Sequence, residues 1–231
     1  MSDGGGPANG PGGPPGGGPV RAGERPARPR VIVTRAADQA ADLLAALGAE
    51  GCEALACPVI RTEPAATSAL APCLDGLDRY DWAVFTSENG VRHFLALLLA
   101  TGRDARALGR ARLAAVGPGT AAALAAAGLR ADFVPAEHRG EGLLREMAAG
   151  GLVSGLRVLR VRGDKAGPEV EEGLRAGGAT VDVVTAYRTL PAEPPAAALA
   201  AIRAGGVAAV TFYSPSAVAG FERCLPDHGL H

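Results

Sequence analysis

Aromatic residues are scarce. Phe, Trp and Tyr make up 4% of the 231 residues, so the core must be built from Ala, Val and Leu. Charge of one sign is lacking as well. Lys and Arg (23) nearly balance Asp and Glu (24), for a formal net charge of -1. A protein whose main partner is nucleic acid normally carries a basic excess, so no nucleic-acid partner is expected. The four cysteines, Cys52, Cys57, Cys73 and Cys224, have no CxxC spacing. No His/Cys cluster of zinc type appears either, which predicts reduced thiols and no metal. Long apolar runs are missing: the longest, around Phe94 to Ala100, falls far short of the ~20 residues that span a bilayer. The N-terminus is rich in Gly and Pro and has no apolar stretch, so no signal peptide is expected. These absences predict a soluble, cytoplasmic protein with no membrane partner.

What is present falls into two parts. Residues 1–29 are mostly Gly and Pro, ending in an Arg/Pro stretch. Such a segment buries too little apolar surface to offset its ordering entropy, and a disordered tail is expected. From Arg30 onward, short β-branched runs alternate with Ala/Leu-rich stretches of helical character. Strands are predicted at Val31–Thr34, Ala54–Cys57, Trp82–Thr86, Leu113–Val116, Asp132–Val134, Val158–Val161, Val181–Ala186 and Ala209–Tyr213. Helices are predicted at Gln39–Leu47, Gly90–Ala100, Thr120–Ala127, Gly142–Ala149, Glu169–Ala176, Ala196–Ala204 and Ser216–Cys224. Gly48, Gly128 and Gly177 stand where left-handed helix caps are expected. This alternation predicts an α/β protein with parallel sheets.

The sequence also repeats itself without a gap. Arg30-Val31 matches Arg157-Val158, Arg35 matches Arg162, and Arg61-Thr62 matches Arg188-Thr189. In the same register Phe85, Ser87, Val91 and Phe94 fall on Phe212, Ser214, Val218 and Phe221. Two copies of one supersecondary unit are therefore expected, with Ser87 and Ser214 at equivalent helix starts. The first copy continues through Val116-Gly117-Pro118-Gly119-Thr120 and the elements after it, and the second has no counterpart of these. That difference predicts a C-terminally truncated chain, short by about the length of the unmatched stretch.

Several motifs run from a strand into a helix. Ser87 and Ser214 stand where helix N-caps are expected, and Pro215 suits a first helical position. Capping alone accounts for such serines. At the carboxyl ends of parallel strands, however, the same helix starts bind ligands, and their free N–H groups favour anions. Val116-Gly117-Pro118-Gly119-Thr120 has this character without being a P-loop or a GxGxxG. Arg162-Gly163-Asp164-Lys165 repeats it. Ser87 is not a hydrolase nucleophile, since Phe85 and Asn89 stand where a nucleophile elbow needs glycines. Tyr187, in Ala186-Tyr187-Arg188-Thr189, reads as a sheet-edge residue or as a hydrogen-bond donor to a leaving group.

Together these pieces resemble the uroporphyrinogen-III synthase family. They are the opening Val-Thr-Arg, Tyr80-Asp81-Trp82 leading to Phe-Thr-Ser, Val-Gly-Pro-Gly-Thr-Ala, Tyr187 in Tyr-Arg-Thr, and Phe-Tyr-Ser-Pro-Ser. The resemblance covers Arg30 to about Leu225. It implies two similar flavodoxin-like α/β domains with parallel sheets, joined by two extended linker strands near Pro58–Pro64 and Ala186–Pro191, with a cleft between them. One domain would combine 30–60 with 190–231 and lack its C-terminal part, and the other would span 61–189. The implied reaction converts hydroxymethylbilane, a linear tetrapyrrole, to uroporphyrinogen III with loss of water and inversion of the last pyrrole ring, by a monomeric enzyme without a cofactor. Tyr187 would be the catalytic proton donor. Arg35, Ser87, Asn89, Gly117, Thr120, Gly163, Ser214 and Ser216 would bind the substrate, with helix starts at Ser87, Gly117, Gly163 and Ser214 and Arg35 as a counter-charge. Two other readings are a non-catalytic tetrapyrrole-binding regulatory domain and a two-lobed small-molecule binding module. The first would usually carry an attached DNA-binding or receiver domain, and a periplasmic form of the second would need export.

Overall fold

The computed structural model describes residues 28–69 and 71–225. All but the last two residues of the expected Gly/Pro tail lie outside them. The chain runs β1 (Arg30–Val33), α1 (Ala41–Ala49), β2 (Glu53–Ala56), β3 (Ile60–Pro64), α2 (Ala71–Leu74), β4 (Trp82–Phe85), α3 (Glu88–Ala100), β5 (Arg112–Ala115) and α4 (Pro118–Ala126). It continues through α5 (Gly140–Ala149), β6 (Arg157–Gly163), α6 (Glu169–Ala176), β7 (Thr180–Pro191), α7 (Ala196–Arg203), β8 (Val207–Thr211) and α8 (Pro215–Cys224).

Three expectations need correction. Asp132–Val134 forms no strand: Phe133 makes a lone bridge to Ala114. The Asp132 carboxylate takes the Leu113 N–H at 2.7 Å, and Pro135 follows, so the segment cannot extend a ladder. The left-handed caps also shift at two places. Gly48 lies inside α1, and Gly51 takes the positive φ of 80°. After α6, Gly177 has φ -75° and Gly178 has φ 91°. Gly128 does adopt φ 76°. Finally, the strand holding Tyr187 does not stop at Ala186 but runs on to Pro191.

Two sheets result, dominated by parallel pairs. One has three strands in the order β2-β1-β8, the other five in the order β3-β7-β6-β4-β5. The five-stranded sheet is covered on both faces, and the side-chain alternation of β4 shows why. Ala83 and Phe85 join Phe94, Leu98 and Leu124 from α3 and α4, whereas Trp82 and Val84 join Leu143, Met147 and Leu174 from α5 and α6. Period-two alternation of large apolar side chains thus builds two cores from one strand. A smaller core of Ile32, Cys57, Val59, Ala198, Ala217 and Phe221 serves the three-stranded sheet.

The repeat is visible in the backbone. Ser87 (φ -158°, ψ 153°) and Ser214 (φ -160°, ψ 155°) are both helix N-caps. Each hydroxyl accepts a hydrogen bond from an N–H three residues on, Gly90 at 3.0 Å and Ala217 at 3.2 Å. The copies are exchanged between the sheets: β4, from the first copy, pairs with β6 of the second, while β8 of the second pairs with β1 of the first. The antiparallel pair β3–β7 lies at the centre of this exchange. Its register places Thr62 opposite Thr189, which are repeat equivalents, so an approximate two-fold axis passes through that pair.

One buried cluster departs from the apolar pattern. Arg160 and Glu171 are each 2% exposed, and Arg162 Nη1 lies 3.0 Å from Glu171 Oε1. Burial pushes the Arg160 guanidinium down to about 10, against the opposing attraction of Glu171. Removing Glu171 would leave two arginines without their shared counter-charge, and an uncompensated buried charge costs about 3–5 kcal/mol. Glu171→Ala should therefore lower the urea unfolding free energy by about 3 kcal/mol. Arg160→Met should change it by less than about 1 kcal/mol, because Arg162 keeps its partner.

Candidate active site

In both sheets the strand order reverses direction at one point. From β4 the chain goes through α3 to β5 on one side, and from β6 through α6 to β7 on the other. β1 and β8 make the corresponding point in the smaller sheet. Crevices open at the carboxyl ends of strands at such switch points. Here the two crevices share one cavity of about 630 Å³, bordered by residues that follow β1, β4, β5, β6 and β8 and by side chains of β3 and β7.

All nine residues expected from the sequence border this cavity. Ser87 and Ser214 reach it as the caps of α3 and α8, and Asn89 and Ser216 lie in the first turns of those helices. Gly117 is the N-cap of α4 and offers no side chain of its own, leaving that helix start open, with Thr120 nearly buried in its first turn. Arg35 follows β1. Gly163 is in the cavity wall but does not start a helix: α6 begins only at Glu169, with Pro168 as its N-cap. The turn between them is held to β7 instead. Asp164 N–H donates to the Tyr187 carbonyl at 3.0 Å, and Thr189 N–H donates to Asp164 Oδ1 at 2.8 Å.

Tyr187 sits where β7 changes partners. It pairs with Gly163 of β6 across a register shift and with Pro64 of β3 on the other side. Gly163 makes room for the ring, since a Cβ there would lie 2.5 Å from Tyr187 Cζ. His93, on α3, stacks on the ring with centroids 5.3 Å apart and an interplanar angle of 23°. His93 Nε2 is itself hydrogen-bonded to Thr62 Oγ1 at 2.9 Å. The phenol oxygen lies 3.2 Å from Ser87 Oγ. Either hydroxyl can be the donor in this contact. Ser87 Oγ already accepts the Gly90 N–H, and with Ser87 as donor the phenol O–H is free for another acceptor. Ile60, the repeat counterpart of Tyr187, also borders the cavity and has no polar group.

The cationic groups of the cavity wall have acidic neighbours. Arg35 Nη2 lies 2.6 Å from Glu88 Oε2, and its guanidinium carbon is 4.9 Å from the centroid of the Tyr213 ring. Lys165 Nζ is 3.9 Å from Asp164 Oδ2. Sequence reasoning passed over Gln39, Glu88, His138, Lys165, Tyr213 and the threonine pair Thr62 and Thr189, all of which border the cavity. The match of Arg61-Thr62 with Arg188-Thr189 could have revealed the threonines, because equivalent residues near a two-fold axis share one site. His138 comes from a loop with no pattern to mark it. Among the described residues no group of His, Cys, Asp or Glu could hold a metal ion, and no helix is long and apolar enough to cross a membrane.

Comparison with known proteins bears on this geometry. The family model described as Uroporphyrinogen-III synthase HemD matches residues 41–231. A relative from Methanothermobacter thermautotrophicus is 32% identical over 189 residues, 80% of this chain and 74% of that protein. The uroporphyrinogen-III synthase of Synechococcus elongatus is 30% identical over 201 residues, covering 86% of this chain and 75% of that protein. Among solved structures, a mutant uroporphyrinogen III synthase of Thermus thermophilus superposes with a TM-score of 0.59 at 23% identity, over 86% of this chain and 79% of that one. At that identity the likeness establishes the α/β fold alone. With the family model running through most of the sequence and the Synechococcus relative matched over three quarters of its length, the chain belongs to the uroporphyrinogen-III synthase family.

Proposed function

We propose that this chain closes hydroxymethylbilane to uroporphyrinogen III in the cavity between its two sheets, with Tyr187 as the proton donor to the departing hydroxyl. The observation that carries this reading is the Tyr187 hydroxyl, 3.2 Å from Ser87 Oγ, on the wall of a cavity bordered by the starts of α3, α4 and α8. The substrate can cyclise unaided to the symmetrical isomer, so the enzyme has to steer as well as accelerate. Water leaves when the terminal hydroxyl accepts the phenol proton as its C–O bond breaks. Ser87 O–H donates to the phenol oxygen and eases the charge left there. The released methylene is then attacked by the substituted carbon of the last pyrrole. The spiro intermediate then opens by breaking the original bond from that carbon to the neighbouring methylene, which becomes electrophilic in turn. The free α-carbon of the same pyrrole attacks it and closes the macrocycle with that ring inverted. Loss of the proton from that carbon restores aromaticity and returns the phenol to its neutral form. Confinement decides which carbon is reached, and proton donation helps the hydroxyl to go.

Two further elements belong to this reading. Residues 30–60 with 190–231 would form one domain and 61–189 the other, with the β3–β7 pair as the double linker and the cleft between them. The confinement of β8 to the β1 sheet and of β4 to the β6 sheet supports this division. Substrate carboxylates would be taken up by the starts of α3, α4 and α8 and by Arg35, which supports recognition by a chain with almost no net charge. We also read the enzyme as monomeric and cytoplasmic.

In single-turnover formation of the type III isomer, Tyr187→Phe should slow the reaction about 100-fold, the usual contribution of a positioned general acid. A rate within about threefold of wild type would retire Tyr187 from that role. Gly163→Ala tests position rather than chemistry. The added methyl has to push the phenol aside, so it should lower the rate by about tenfold or more while leaving the hydroxyl in place, as a displacement near 1 Å does in a preorganised site. Rates unchanged by Gly163→Ala would mean that the ring position seen here is not the working one.

A further inference from the structure

Arg35 and Glu88 come from opposite sides of the cavity: Arg35 follows β1 of the three-stranded sheet, and Glu88 opens α3 on the five-stranded one. Their 2.6 Å ion pair therefore ties the two sheets together across the site. A second tie lies beside it, where Gln39 Nε2 donates to Asn89 Oδ1 at 2.7 Å. The Glu88 carboxylate also lies against the first turn of α4, since a Cβ on Gly119 would be 2.5 Å from its Oε1. The N-cap of that helix is Gly117, which offers no side-chain acceptor. A carboxylate of the protein thus occupies a place where a guanidinium and an open helix start converge, both of which attract anions.

We propose that Glu88 is an internal stand-in for a substrate carboxylate: it latches the cleft through Arg35 until a carboxylate of the polyanionic substrate displaces it. The inference rests on the reading that the substrate is a polycarboxylate. The exchange is chemically even, one carboxylate replacing another on the same guanidinium, and its selectivity follows from effective concentration. Glu88 is held beside Arg35 by the chain, so a free monocarboxylate at ordinary concentration competes poorly with it. A ligand already held by other carboxylates at the starts of α3 or α8 presents its next carboxylate at a comparably high local concentration. Glu88 is in this sense a specificity-determining residue, favouring ligands that carry many carboxylates at once. The pair is partly exposed, with side-chain accessibilities of 24% and 39%, so its strength is modest and the latch can open readily.

The test uses the full chain and uroporphyrin, a stable octacarboxylate, as the probe in a fluorescence titration. Glu88→Gln should tighten uroporphyrin binding about two- to fivefold, fivefold being about 1 kcal/mol. It should also make acetate an effective competitor where it is a poor one for wild type. Both effects should vanish when Glu88→Gln is made on an Arg35→Gln background, because the latch acts only through that guanidinium. Weaker binding by Glu88→Gln, an equal gain in the Arg35→Gln background, or no uroporphyrin binding by any of these proteins would overturn the latch. The isomer assay judges the proposed reaction separately. A wild-type chain that binds uroporphyrin with this pattern but makes no type III isomer would sink the activity and leave the latch standing.

Discussion

The pairing of β3 with β7 is the constraint on which the rest of the structure depends. Among the described residues it is the antiparallel pair in an otherwise parallel arrangement, and its register sets Thr62 against Thr189. Because these are equivalent positions of the repeat, that pairing brings the two halves together with their strand ends facing each other. A slip of one residue would turn every side chain on one strand to the other face and swing Tyr187 away from the cavity it now borders. Main-chain hydrogen bonds between β3 and β7 thus hold a site whose walls come from both sheets.

The position of Tyr187 illustrates how that scaffold is used. The ring is held by contacts that each depend on another element: a glycine on β6 that leaves space, a histidine on α3 stacked over the ring, and a serine cap within hydrogen-bond distance. Ser87 both caps α3 and contacts the Tyr187 hydroxyl, so a residue that starts a helix also helps to hold a phenol. Strength of charge has little part in this arrangement. Arg35 and Lys165 each sit beside a carboxylate of the protein, and the starts of α3, α4 and α8 add the partial positive charge of their first-turn N–H groups. The buried Arg160–Glu171–Arg162 cluster lies on the opposite layer, toward α6, and serves the fold.

Much of this was legible in the sequence because it rests on local patterns. Period-two runs such as Trp82–Phe85 and Val158–Val161, helix starts at Ser87 and Ser214, and a repeat in strict register all leave marks along the chain. Most of the expected site residues came together because they follow a strand in a fold where such positions converge, while Gly163 and Tyr187 lie within β6 and β7 at the point where those strands reach the cavity. Illegible were the features that need a partner from elsewhere. Asp132–Val134 has strand composition, but its aspartate is committed to the end of β5. Gly163 has the look of a helix start, but Asp164 ties the turn to β7 and delays the helix. Glu88 carries no sign in the sequence that Arg35 lies within reach, since the two are joined only after the sheets have formed.

The approximate two-fold axis has one further consequence. A linear molecule has a head and a tail, and a strictly two-fold cavity would accept it equally well in either direction. In this protein the cavity departs from that symmetry at several positions, among them Tyr187, which carries a hydroxyl where its counterpart Ile60 carries only a hydrocarbon, and Glu88, whose counterpart is Pro215. A duplicated scaffold of this kind provides two nearly matching places for similar groups along a chain, and its unmatched side chains tell the two ends apart. Ancestral duplication would in that case have supplied the shape of the cavity, and divergence between the two copies its polarity.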